Sequence, residues 1–171
     1  AFAPRAIPRF SVVIPMRNEE DTFAATVGVL LAACDDLVTR GAIEQFELAL
    51  VDDASGDSTG ALVDAAAAAD QRIRALHHEH NIGLGGSIRT GLAGTRGDVV
   101  LYTDADLPFD PFELPRLVRL LQVYEAGILS AWRTDRHSEG FRRSIYSGAY
   151  NALVRVKLRL RVRDVNFACK M

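Results

Sequence analysis

Two aspartates one residue apart, Asp104 and Asp106, directly follow the apolar run Val99 to Thr103 (VVLYT). On an extended segment, side chains at i and i+2 point the same way. Both carboxylates can then face one hard divalent cation, or its water shell. A cation held there can offset the charge of a diphosphate, most of all one that is leaving. The small Ala105 between them lets a ligand approach. Aspartates in solvated loops also act as simple caps, so the place after a buried run is what favours the metal reading.

A second acidic pair, Asp52-Asp53, follows the run Phe46 to Val51 (FELALV). A carboxylate there can accept from the ring N–H of uracil or guanine, or from ribose hydroxyls. Asp57 and Ser58, further along the same polar turn, suit helix capping. The glycine-rich stretch Asn81 to Gly86 invites a dinucleotide reading, but position 88 is Ile88, where a glycine is required. The P-loop pattern fails as well, since no Lys follows Gly91. The loop can still bring backbone N–H groups around Gly85, and Arg89, to a phosphate, or serve only as a tight turn. His77, His78 and His80 have no partner Cys or spaced acid and read as a surface loop rather than a metal site.

These groups need elements to position them. Phe10 to Pro15 (FSVVIP) reads as a buried strand. Asn18 and the acids Glu19, Glu20 and Asp21 suit a helix start, with the helix running to about Arg40 and stopping at Gly41. Phe46 to Val51 is a second strand, Gly60 to Asp70 an alanine-rich helix, and Ile73 to His77 a short third strand. A helix is expected from Ser87 to Gly94, a strand from Val99 to Thr103, a helix from Pro111 to Tyr124, and a last strand from Ile128 to Trp132. Strands alternating with helices predict an α/β three-layer sandwich around a mostly parallel sheet. Ligands bind beyond the carboxyl ends of such strands, and Arg17 to Glu20, Asp52-Asp53 and Asp104 to Asp106 each follow one. Leu153 to Val162 alternates apolar and basic residues, which fits an extended strand with one basic face, although a helix from Ser144 could end near Lys157.

The chain has 171 residues, 49% hydrophobic and 25% charged, which is ordinary for one globular domain. Residues 1–9 read as an extension before a domain spanning 10–171. No apolar run is long enough to span a bilayer, and no signal peptide is visible. Cys34 and Cys169 read as reduced thiols of a cytoplasmic protein. The net charge of −2 is unevenly placed: residues 133–171 hold ten Lys/Arg against three Asp/Glu, while the rest is acidic. An acidic body suited to a cation therefore precedes a basic tail suited to an anion. No nucleic-acid partner is expected.

Four motifs occur in order: Ile14-Pro15-Met16-Arg17-Asn18-Glu19-Glu20, Val51 to Thr59 (VDDASGDST), Asn81 to Gly86 (NIGLGG), and Asp104-Ala105-Asp106. Together they resemble the family 2 glycosyltransferases with a GT-A fold, closest to the dolichol-phosphate mannosyltransferase and polyprenyl-phosphate glycosyltransferase branch. The resemblance covers nearly the whole chain from Phe10. It implies that Pro15, Arg17 and Glu19 line a nucleobase pocket and that Asp53, with Asp52 beside it, binds the base. It implies that Asp104 and Asp106 hold Mg2+ or Mn2+ at the diphosphate, with Asp106 the direct ligand. Arg133 and Arg142 match arginines that meet an acceptor phosphate, and Asp164 matches a late aspartate near the sugar.

The resemblance further implies a GDP- or UDP-linked sugar donor, a polyprenyl phosphate acceptor and an inverting displacement. The chain is expected to lack the C-terminal portion of such domains. Three positions depart from the pattern. Arg17 stands where the branch often has tyrosine, Pro108 where it often has a metal-binding glutamine, and Asn166-Phe167-Ala168 where it has Ser-Gly-Phe. Two rival readings stand beside this expectation. A nucleotidyltransferase wants a glycine-rich basic loop after the first strand, whereas Pro15 and acids follow it here. A sugar-nucleotide-binding module that has lost catalysis is the other. The alternating basic segment also suits peripheral contact with the cytoplasmic face of a membrane.

Overall fold

The computed structural model describes residues 5–131 and 169–171. β1 (Ile7–Met16), β2 (Ile43–Asp52), β3 (Ile73–His77) and β4 (Val99–Thr103) form a parallel set, and β5 (Cys169–Lys170) joins it antiparallel. The order across the sheet is β3-β2-β1-β4-β5. The helices are α1 (Phe23–Thr39), α2 (Thr59–Ala69), α3 (Leu84–Gly94) and α4 (Leu114–Val123).

β1 begins at Ile7, three residues before the expected start at Phe10, because Ile7 pairs with Ile43 and buries its side chain. Its centre is apolar on both faces, as a parallel strand covered on two sides requires. Phe10, Val12, Ile14, Leu48 and Leu50 share one core cluster with Leu30 of α1, Val63 of α2 and Val118 of α4. Val13, on the opposite face of β1, meets α3. The three-layer expectation is met.

α1 does not start at Asn18. That residue has φ +54, and its side-chain oxygen accepts the Gly56 N–H at 2.8 Å. Thr22 takes the cap position, and the acids that suited a first turn lie in the loop before it. The end of α1 is as expected. Gly41, at φ +66, donates to Val38 O, and Ala42 donates to Leu37 O, the paired closure that favours glycine. α3 begins at Leu84 rather than Ser87, so Gly85 and Gly86 lie in its first turn. The expected helix from Pro111 begins as a 3-10 turn, Pro111–Glu113, before α4.

The last strand differs most. Leu129 and Ala131 do pair, but with Met171 and Cys169 rather than with β4. The chain end is inserted beside β4, which no local pattern announces. Trp132, the expected last residue of that strand, lies outside the described residues. Both thiols are buried and free, and burial pushes Cys34 up to about 12 and Cys169 to about 11, so neither is a nucleophile near neutrality.

One glycine sets how closely α3 approaches the sheet. A Cβ built on Gly91 would lie 2.2 Å from Val13 Cγ1, a stiff branched side chain with no exposure. Gly91→Ala is therefore expected to lower stability by about 1–3 kcal/mol. Urea unfolding measures this, and an unchanged midpoint would contradict the close packing.

Candidate functional site

Four loops leave the carboxyl ends of β1, β2, β3 and β4 and enclose a cavity of about 450 Å³. Pro15, Arg17 and Glu19 come from the first loop and Asp53 from the second. Asn81, Gly83, Leu84 and Ser87 come from the glycine-rich loop and α3, and Asp104, Ala105 and Asp106 from the fourth loop. Each loop turns on one left-handed residue: Asn18, Ala54, Gly83 and Leu107, with φ between +47 and +79. Three of the four are not glycine, and such conformations persist only where the surroundings hold them.

The first two loops are sewn together. Asn18 N–H donates to Ser55 Oγ, Glu19 N–H to Thr59 Oγ1, and Ser58 N–H to Glu20 Oε2. Asp57 accepts from both Thr59 N–H and Glu20 N–H, so it braces the loop as well as the start of α2. Those hydrogen bonds leave Arg17 exposed at the cavity, the one cation among its described lining residues.

Asp104 to Leu107 is a turn, closed by Leu107 N–H donating to Asp104 O at 3.2 Å. The extended geometry expected for the two aspartates is therefore replaced, because the chain must reverse toward Pro111. Both carboxylates still line the same cavity. Ala105 is buried, and its carbonyl accepts from Thr26 Oγ1 of α1 at 2.7 Å, which pins the turn to the core. The Tyr102 hydroxyl donates to Asp104 Oδ1 at 2.6 Å. Burial, then the bond to Asp104 and the charges of Asp104 and Asp106, pushes that hydroxyl well above its ordinary range, so it stays a donor. Asp106 is exposed.

Asp53 is almost wholly buried, yet it touches the cavity. Its Oδ1 faces His78 Nδ1 at 2.8 Å and accepts Ile82 N–H at 2.9 Å; its Oδ2 accepts Gly83 N–H at 2.9 Å. Burial alone pushes this carboxyl up. The bonds from Ile82, His78 and Gly83 outweigh burial and hold it below the usual carboxylate range. His78 Nε2 lies 2.9 Å from Thr90 Oγ1 of α3. A carboxylate can only accept, so His78 carries its proton on Nδ1. His78 is thus a half-hidden brace behind Asp53, not a surface-loop residue.

Asp52 points to the other face of the sheet, because successive strand residues alternate. It accepts from Ser55 N–H at 3.1 Å and lies 3.3 Å from His77 Nδ1, while His77 Nε2 lies 2.9 Å from Asp64. Burial lowers the His77 pKa, but bonds to Asp52 and Asp64 and their charges raise it overall. Asp52 does not line the cavity, and neither do Gly85 or Arg89, which are exposed on α3. Arg133, Arg142 and Asp164 lie outside the described residues, as does the basic segment from Leu153 to Val162. What local sequence reading missed was His78. Its signal was position: His77-His78 follows β3 as Asp52-Asp53 follows β2, and Asp52 pairs with His77.

Comparison with known proteins places this architecture. The model for Glycosyl transferase family 2 matches residues 11–170. Glycosyltransferase AglD of Haloferax volcanii is 36% identical over 167 residues, covering 96% of this chain and 26% of that protein. An undecaprenyl-phosphate 4-deoxy-4-formamido-L-arabinose transferase of Edwardsiella ictaluri is 36% identical over 141 residues, covering 81% of this chain and 41% of that protein. The chain thus spans well under half the length of either relative. Among solved structures, glucosyl-3-phosphoglycerate synthase from Mycobacterium tuberculosis superposes with a TM-score of 0.63 at 25% identity, over 95% of this chain and 56% of its own. A mannosyltransferase from Pyrobaculum calidifontis, solved with GDP-Man and Mn2+, gives 0.61 at 24% identity over 77% of this chain and 38% of its own, a likeness of fold. Since the family's pattern runs through β1, the four cavity loops and on to the inserted β5, the chain belongs to glycosyl transferase family 2 and has its GT-A fold.

Proposed function

We propose that this domain moves a sugar from a nucleoside diphosphate sugar to a polyprenyl phosphate by a single inverting displacement. The observation that carries the reading is the cavity itself. It gathers a buried carboxylate, Asp53, and a cation-suited pair, Asp104 and Asp106, from motifs far apart in sequence. The relatives' names support the acceptor class: one acts with undecaprenyl phosphate.

Asp104 and Asp106 fit Mg2+ or Mn2+ by donor chemistry. Among the described residues no cluster of three or more metal-ligating side chains exists. Two carboxylates that leave the remaining positions to phosphate oxygens and water match the habit of a hard cation on a nucleotide. When bound there, it supplies charge neutralisation for the departing diphosphate. Tyr102 holds Asp104 in place, and Asp53 fixes the base end. In the displacement, an acceptor phosphate oxygen attacks the anomeric carbon. The new C–O bond forms as the bond to the diphosphate breaks, and the electron pair leaves with the diphosphate. The attacking oxygen is already ionised, so no general base is required. Arg133 and Arg142 hold the acceptor anion in this proposal, and Asp164 stands near the sugar.

Among the described residues no helix is long and apolar enough to cross a membrane. Attachment at the cytoplasmic face through the basic tail is part of the proposal, because a lipid acceptor must be reached there. The test is to incubate the chain with labelled sugar nucleotide, a polyprenyl phosphate and Mg2+ or Mn2+. Label is expected in the organic phase together with free nucleoside diphosphate. Label transferred with release of a nucleoside monophosphate, or donor bound without any transfer, overturns the reading.

A further inference from the structure

Asp53 has a limited number of acceptor positions, and the fold has used most of them. A carboxylate offers about four lone-pair sites, two on each oxygen. Oδ1 takes His78 Nδ1–H and Ile82 N–H and is full. Oδ2 takes Gly83 N–H, a donor that it shares with Asn81 Oδ1 at 2.8 Å. One acceptor position remains, on Oδ2.

From that count we infer that the cavity selects a base with a single imide N–H, of the uracil type, over guanine. The inference rests on the nucleotide-sugar reading above and narrows its donor class. Guanine presents two parallel donors on the edge that meets a carboxylate, N1–H and N2–H. Binding both needs one open position on each oxygen, and Oδ1 has none. Guanine must therefore leave a donor facing a saturated oxygen, or displace His78 from its bond to Thr90 as well as to Asp53. An imide N–H asks for one position only. Its two flanking carbonyls need donors, and the cavity has them. Asn81 Oδ1 is engaged with Gly83, which leaves its NH2 free to donate, and Arg17 adds a guanidinium. Cytosine also offers a donor, its N4 amino group, but its adjacent ring N3 is an acceptor where uracil has the imide N–H.

Calorimetry with UDP, GDP and CDP, each with Mg2+, tests this directly. UDP is expected to bind at least about tenfold more tightly than GDP, the usual effect of one orphaned donor. GDP binding as tightly as UDP overturns the inference and leaves the nucleotide-sugar reading standing. No binding of any nucleotide overturns both. His78→Leu removes one donor from Oδ1 and is expected to narrow the UDP-to-GDP ratio. His78→Asn keeps a donor where Nδ1 stood and is expected to restore it. A ratio unchanged in a folded His78→Leu protein overturns the acceptor count, whatever the wild-type preference. If His78→Leu does not fold, the wild-type ratio decides the matter.

Discussion

Asp106→Asn is expected to lower the rate of sugar transfer by about 10²–10³-fold, the loss typical when one group that stabilises developing charge is removed. The substitution keeps size and shape and removes only the charge. Asp106 is exposed, at the tip of a turn whose anchor is the neighbouring Ala105 carbonyl. Its loss should therefore change stability by no more than about 0.5 kcal/mol. Donor affinity should fall when Mg2+ or Mn2+ is present and be unaltered in chelator. That pattern separates a metal ligand from a residue that only shapes the loop. Wild-type turnover at saturating cation in Asp106→Asn would remove the metal role. Asp104 is the poorer test, because the Tyr102 hydroxyl depends on it and would lose its acceptor.

Asp53→Ala is expected to weaken both the fold and the donor site. The carboxylate satisfies Ile82 N–H, Gly83 N–H and His78 at once, in a place with 4% exposure. Each orphaned donor costs about 1–3 kcal/mol, although Gly83 keeps its bond to Asn81. A total loss of roughly 3–5 kcal/mol in unfolding free energy follows. Donor binding should disappear even where the protein remains folded.

The pH dependence has a definite sign. The Asp53 carboxyl titrates lower in the folded chain than its ordinary 3.8. Its contribution to stability is therefore complete above that value and is lost as pH falls through the lower folded value. Acid unfolding of Asp53→Ala should show a correspondingly flatter limb between those two points. A wild-type acid limb in the variant would mean that the three hydrogen bonds contribute nothing net.

Much of this was legible beforehand, for identifiable reasons. Runs such as Val12 to Ile14 declare themselves as buried strands because both faces are covered. Ile73 to His77 and Val99 to Thr103 are observed with the expected bounds. Polar residues after β1, β2 and β4 line the cavity at the carboxyl ends of those strands. What local pattern cannot carry is pairing between distant segments. Cys169–Lys170 enters the sheet beside β4 through backbone bonds, without any apolar signature of its own. Asn18 looked like a cap because its side chain accepts backbone N–H groups, and it does so, but across the cavity rim to Gly56 rather than along α1. The roles of Asp52 and Asp53 likewise depended on which face each one took. Only the register with β3 shows that one meets His77 and the other His78.

That register limits how β2 can change over evolution. Asp52 and Asp53 are chemically identical neighbours assigned to opposite compartments, one to the layer holding α2 and the other to the cavity. Deleting or adding one residue within β2 would exchange them and present the cavity with the wrong partner set, even though an aspartate would still stand at the strand's end. Changes by two residues would preserve the assignment. The loop before β2, by contrast, lies at the far end of the sheet and can vary in length without disturbing it.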